Sequence, residues 1–90
     1  MHTIILERRV IKKILSYPAK HQRQIKEKIL SLRENTMPQD SKSLRGFEGL
    51  FRCDSGEYRI IYRFDSNVVY ILLVGKRNGA DVYQELKRLL

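Results

Sequence analysis

The 90-residue chain is predicted to fold as an α+β sandwich, a helical hairpin packed on a mainly antiparallel sheet with a C-terminal helix, in the order β-α-α-β-β-β-α. Three patterns predict it. Apolar residues recur at helical spacing between Val10 and Leu32, they alternate or run continuously between Leu50 and Val74, and helical spacing returns after Asp81. A chain of this length carries one small core, so residues 1–90 form a single domain.

His2 to Leu6 reads as a short strand, because β-branched Thr3, Ile4 and Ile5 cluster there. Val10, Ile11, Ile14 and Leu15 then mark an amphipathic helix that Pro18 brings to an end. Pro18 suits the first turn of the next helix, where its missing N–H costs nothing. In that helix Ile25, Ile29 and Leu32 form an apolar stripe, with Lys20, Arg23 and Lys26 on the other side. Asn35 to Ser43 contains Pro38 and no apolar period, and is predicted to be a loop. A short strand follows at Leu50 to Cys53, and Asp54-Ser55-Gly56 supplies turn chemistry. From Tyr58 to Phe64, Tyr58, Ile60, Tyr62 and Phe64 alternate against Arg59, Ile61 and Arg63. Asp65-Ser66-Asn67 turns the chain into Val68 to Val74, whose unbroken apolar run marks a strand covered on both faces. Gly75 ends it, and Val82, Leu86, Leu89 and Leu90 place a terminal helix over Asp81 to Leu90.

With 18 Lys and Arg against 10 Asp and Glu, the net charge is +8. Residues 1–44 hold 10 of the basic residues and four acids, so the N-terminal half is the basic half. This balance points to a polyanionic partner, nucleic acid first and an acidic protein second. The apolar runs are too short to cross a bilayer, no secretory signal is evident, and the expected location is cytoplasmic, without a membrane partner. A lone cysteine, Cys53, and two separated histidines, His2 and His21, offer no metal-ligand set; Cys53 is expected in the core and both histidines at the surface.

No nucleophile elbow, phosphate-cradling glycine loop, HExxH or paired acidic motif is present. What remains is a set of strand arginines: Arg52, Arg59, and Arg77 just past the last strand, followed by Tyr83. In a meander the residues after the long strand return to the end of the sheet that holds the Asp54–Gly56 turn. Three guanidiniums converging there make a site for a phosphodiester, because each presents a rigid donor fork matched to phosphate oxygens. Each arginine also has an acidic neighbour available for plain ion pairing in Asp54, Glu57, Asp65 or Asp81. From the residues alone, the chain is a basic α+β domain suited to an anionic chain.

The segments Lys42-Ser43-Leu44-Arg45-Gly46, Gly56-Glu57-Tyr58-Arg59-Ile60-Ile61-Tyr62-Arg63, Val74-Gly75-Lys76-Arg77 and Asp81-Val82-Tyr83 resemble the RelE toxins of the RelE/ParE superfamily. The first two speak to the fold; the last two place Arg77 and Tyr83 where RelE nucleases carry catalytic residues. The resemblance implies a toxin of a type II toxin–antitoxin system. It would act as an endoribonuclease, independent of metal or cofactor, that cuts messenger RNA in the ribosomal A site. Its partners would be the ribosome, messenger RNA and a cognate acidic antitoxin, the complex with the antitoxin sitting on operator DNA. Arg52 and Arg59 would neutralise the pentacoordinate phosphate, Arg77 would assist the leaving 5′-oxygen, and Tyr83 would orient or deprotonate the 2′-hydroxyl. Tyrosine has a reference pKa of about 10, so a base of this kind relies on neighbouring cations and on positioning by the ribosome. Lys20, Arg23, Lys26, Lys42, Arg45 and Lys76 would contact RNA or ribosome phosphates.

One position departs from the pattern. RelE nucleases usually carry a lysine two residues before the position of Arg52, and this chain has Leu50. Alternation puts Leu50 on the face of Arg52, so it is expected to border the phosphate site; either the nuclease is weaker for it or another cation, Lys42 or Arg45, fills in. Two alternatives share the fold: a ParE-like toxin that binds DNA gyrase and has no nuclease site, and a weak toxin acting mainly as corepressor with its antitoxin.

Overall fold

The computed structural model describes residues 1–79 and 81–89; Leu90 of the expected terminal helix lies outside the described residues. The elements are β1 (Thr3–Leu6), α1 (Arg8–Leu15), α2 (Ala19–Ser31), β2 (Lys42–Ser43), β3 (Phe51–Ser55), β4 (Tyr58–Phe64), β5 (Val68–Lys76) and α3 (Asp81–Leu89). The strands form one sheet in the order β1-β5-β4-β3-β2. β1 runs parallel to β5 and every other pair is antiparallel.

The predicted α+β order holds, with three refinements. Lys42 and Ser43 form a short edge strand on β3 rather than the end of a loop. The β3–β4 hairpin turns at Gly56-Glu57, one step later than Asp54-Ser55-Gly56, because Asp54 and Ser55 still pair with Arg59 and Tyr58. Gly56 takes φ +58°, which a residue without Cβ adopts without strain. β5 also runs through Gly75 to Lys76.

The sheet is covered on both faces, as the continuous apolar run of β5 requires. On one face the α1–α2 hairpin packs Val10, Ile25, Ile29 and Leu32 against Cys53, Tyr58, Ile60, Tyr62, Ile71 and Val74. On the other, Val82 and Leu86 of α3 pack with Leu44, Leu50, Ile61 and Leu73. A register shift at Ile61/Tyr62 opposite β5 lets both Leu72 and Leu73 join this second cluster.

Gly75 sets the approach of α3 to the sheet. A Cβ at this position would collide with Val82 Cγ2, so the first turn of α3 rests on bare backbone. Gly75→Ala is expected to cost about 1–3 kcal/mol, through overpacking that lifts the N-terminal end of α3. For a domain of this size that lowers the melting temperature by roughly 4–8 °C per kcal/mol, readable by thermal circular dichroism. Unchanged melting would mean that α3 shifts without cost.

Candidate active site

Strand pairing builds the site. Opposite residues of β3, β4 and β5 align Asp54, Arg59 and Gly75 in one row, and Lys42, Arg52, Ile61 and Leu73 in the next. Ile61 and Leu73 belong to the cluster under α3, so Arg52 and Arg59 share the α3 face of the sheet. The absence of a side chain at Gly75 brings Val82 down, and Tyr83 then reaches over the β4 row.

Arg59 is the hub. Its Nε donates to Asp54 Oδ1 at 3.0 Å and its Nη1 donates to Tyr83 Oη at 2.8 Å. Its side chain is only 16% exposed, yet it remains a cation. Partial burial works against the charge, and the hydrogen bonds from Arg59 to Asp54 and Tyr83 outweigh it, so the guanidinium pKa stands above its ordinary value. Asp54 is therefore a structural part of the site: it fixes one edge of the guanidinium and leaves Nη2 for another acceptor. Asp54 itself is held from behind by Asp40, whose Oδ2 accepts from the Asp54 backbone N–H at 3.0 Å while Oδ1 takes Lys28 Nζ at 2.8 Å.

Arg52 is half-buried on the same face, diagonal to Arg59. The Arg77 backbone N–H donates to Glu57 O at 2.9 Å, tying the segment after β5 to the β3–β4 turn, and its side chain is exposed. The expected return of residue 77 to that end of the sheet is thus observed; the direct side-chain contact is between Arg59 and Tyr83.

The six RNA- or ribosome-binding candidates divide between the two faces. Lys42 lies across from Arg52, Arg45 is exposed beside the buried Leu44, and Lys76 is exposed at the end of β5. Lys20, Arg23 and Lys26 are exposed on α2, on the hairpin side. Arg23 and Lys26 rim an apolar groove of about 760 Å³ lined by Leu6, Ile11, Ile14, Leu15, Ile29 and Leu30.

Leu50 does not border the site as an open neighbour. It is 8% exposed and packed among Leu44, Ile61, Leu73 and Leu86, because α3 lies over the face that alternation assigns to it. Cys53 is fully buried, and burial pushes its thiol pKa up to about 12, which makes it an inert core group. His21 differs from expectation: its Nδ1 lies 2.8 Å from Tyr58 Oη, a partner 37 residues away. His2 Nε2 lies 2.9 Å from Asp65 O.

The fold and sequence of the chain are similar to those of known proteins. A model of the ParE toxin of the type II toxin–antitoxin system parDE matches residues 8–80. The chain belongs to this family of toxins, within the RelE/ParE superfamily. A protein named RelE1 from Methanocaldococcus jannaschii is 29% identical over 80 residues, covering 83% of this chain and 89% of that protein. The free E. coli toxin RelE, solved as a double-arginine variant, superposes with a TM-score of 0.77 at 26% identity, covering 99% of this chain and 98% of that one. The RelE chain of an archaeal RelE–RelB complex from Pyrococcus horikoshii gives a TM-score of 0.74 at 28% identity, covering 88% and 98%.

Proposed function

We propose that this toxin is a ribosome-dependent endoribonuclease that cleaves messenger RNA in the A site. The observation that carries the reading is the Arg59–Tyr83 contact on a face that also bears Arg52. A fixed phenol oxygen beside preorganised cations suits in-line transfer at a phosphodiester. The ribose 2′-oxygen bonds to phosphorus, the P–O5′ bond breaks, and a 2′,3′-cyclic phosphate and a free 5′-hydroxyl result. In this scheme Tyr83 orients the 2′-hydroxyl and, as the phenolate, takes its proton, Arg59 and Arg52 stabilise the equatorial oxygens, and Arg77 supports the departing 5′-oxygen, which takes a proton from water to become the 5′-hydroxyl. The similarity to RelE proteins supports the same reading. Mapping 5′ ends of messenger RNA after induction tests it: cuts confined to translated codons are expected, and growth arrest with intact messengers would overturn it.

A second reading is favoured by one observation. The ParE match covers residues 8–80 and ends before Tyr83, and a toxin that binds DNA gyrase has no need of the Arg59–Tyr83 pair. Linearised plasmid and induction of DNA damage, with messengers uncut, would establish that alternative.

The toxin is held by an acidic antitoxin that folds on it, and the complex sits on operator DNA. The apolar groove between β1, α1 and α2 supports the antitoxin: Ile11, Leu15 and Leu30 are each more than 40% exposed beside Arg23 and Lys26, a combination suited to an acidic amphipathic segment. Arg23 and Lys26 are accordingly assigned to this partner ahead of the ribosome. Leu15→Asp is expected to weaken antitoxin binding by about 10-fold or more while leaving the free fold unchanged, since Leu15 is 62% exposed. Titration calorimetry with the co-expressed antitoxin reads this, and unchanged affinity would place the partner elsewhere.

A further inference from the structure

Beyond the end of β1, the edge of β5 is left without a strand neighbour, because the parallel pairing stops at Leu6↔Ile71. α1 covers this edge from one side, with Arg9 Nη1 donating to Leu72 O at 2.6 Å, and α3 approaches from the other. Between them opens a slot of about 220 Å³ bordered by Lys13, Tyr17, Gly75, Lys76, Val82 and Glu85. Val82 faces the sheet, so Tyr83 and Glu85 project from opposite flanks of the first turns of α3. The slot and the Arg59–Tyr83 contact therefore lie on either side of one helix end.

The lining is specific in chemistry. Tyr17 forms a fixed wall: its ring packs on Tyr58 with centroids 4.3 Å apart, and Tyr58 in turn is held by His21. Burial, Tyr58 and Glu85, in that order, raise the Tyr17 pKa, so its hydroxyl remains a neutral donor near the Glu85 carboxylate. Among the described residues Glu85 forms no ion pair with either lysine, so acceptor and cations stay available to a ligand. A carboxylate accepts two parallel N–H bonds, and among nucleobases guanine alone offers two adjacent N–H donors on one edge. Uracil presents a single N–H between two carbonyl oxygens, which a carboxylate repels. Lys13 and Lys76 at the rim fit the phosphates that flank a base.

The geometry points to a nucleobase pocket in this slot, one that takes a guanine nucleotide of the RNA next to the scissile phosphate through Glu85 and Tyr17, with Lys13 and Lys76 on its phosphates. This rests on the nuclease reading for its biological setting, while its chemistry is testable alone. Titrating the isotopically labelled toxin with guanosine 5′-monophosphate should shift the amides of Gly75 and Val82. Uridine 5′-monophosphate should bind more weakly, on the order of tenfold, as expected for loss of one bidentate pair. Glu85→Gln should erase that difference, and Lys13→Ala should weaken both nucleotides alike. In ribosome-dependent cleavage, Glu85→Gln should reduce cutting beside guanine and leave other sites unchanged. Equal responses to both nucleotides and to inorganic phosphate would reduce the slot to a simple anion site and overturn the proposal, as would no response at all. Guanine-selective shifts without messenger cleavage would leave the pocket standing and remove the nuclease reading; cleavage with a sequence pattern indifferent to Glu85 would do the opposite.

Discussion

Tyr83→Phe and Arg59→Ala are each expected to slow ribosome-dependent cleavage by about 10²–10³-fold, the usual cost of losing one preorganised group where charge develops. The 2.8 Å bond between Arg59 Nη1 and Tyr83 Oη makes the two a unit, so the double variant should fall well short of the product of the single effects. Single-turnover cleavage, measured beside thermal unfolding, checks both statements. Tyr83→Phe is the cleaner of the two, because Arg59→Ala also deprives Asp54 of its partner. If Tyr83→Phe retained parental cleavage and toxicity at equal expression, the phenol would be a packing residue at the edge of the second cluster.

Leu50→Lys is expected to unfold or strongly destabilise the toxin instead of restoring a missing catalytic charge. Leu50 is 8% exposed in the cluster under α3, so the substitution removes packed methyl groups at about 2–5 kcal/mol and asks an ammonium to enter an apolar layer. A fall in melting temperature of more than about 10 °C follows for a domain of this size. The informative control is Leu50→Met, which keeps the volume and should cost less than about 1.5 kcal/mol. A Leu50→Lys variant that melts normally and cuts faster would mean that the new side chain reaches past α3 to the phosphate.

Much of this architecture was legible in the sequence because its elements carry strong local periods. The alternation from Tyr58 to Phe64 separates the hairpin face from the α3 face correctly, and the continuous run of β5 announces its two-sided burial. Lys42 and Ser43 escaped because two polar residues have no period; only pairing with Arg52 and Phe51 makes them a strand. Alternation also put Leu50 on the right face and at the wrong depth, since depth depends on what α3 covers. The return of the segment after β5 to the turn flanked by Arg52 and Arg59 was readable from meander topology, whereas the actual partner choice, Arg59 with both Asp54 and Tyr83, depends on how closely Gly75 admits α3. Helical spacing placed Arg23 and Lys26 opposite Ile25 and Ile29, but the groove they rim is a product of three elements meeting. The Tyr58–His21 bond spans 37 residues and leaves no local trace.

The parallel pairing of β1 with β5 has a consequence for how the toxin is made. Thr3 finds its partner only in Val68, so β1 is made long before the strand that satisfies it. At synthesis rates of about 5–20 residues per second, the roughly 60 intervening residues keep that edge open for several seconds. Closing so long a loop is an entropic toll that only the late contacts repay, so the sheet cannot complete before β5 has been made. During that interval the unpaired edge of β1 and the uncovered face of the α1–α2 hairpin are open to other partners.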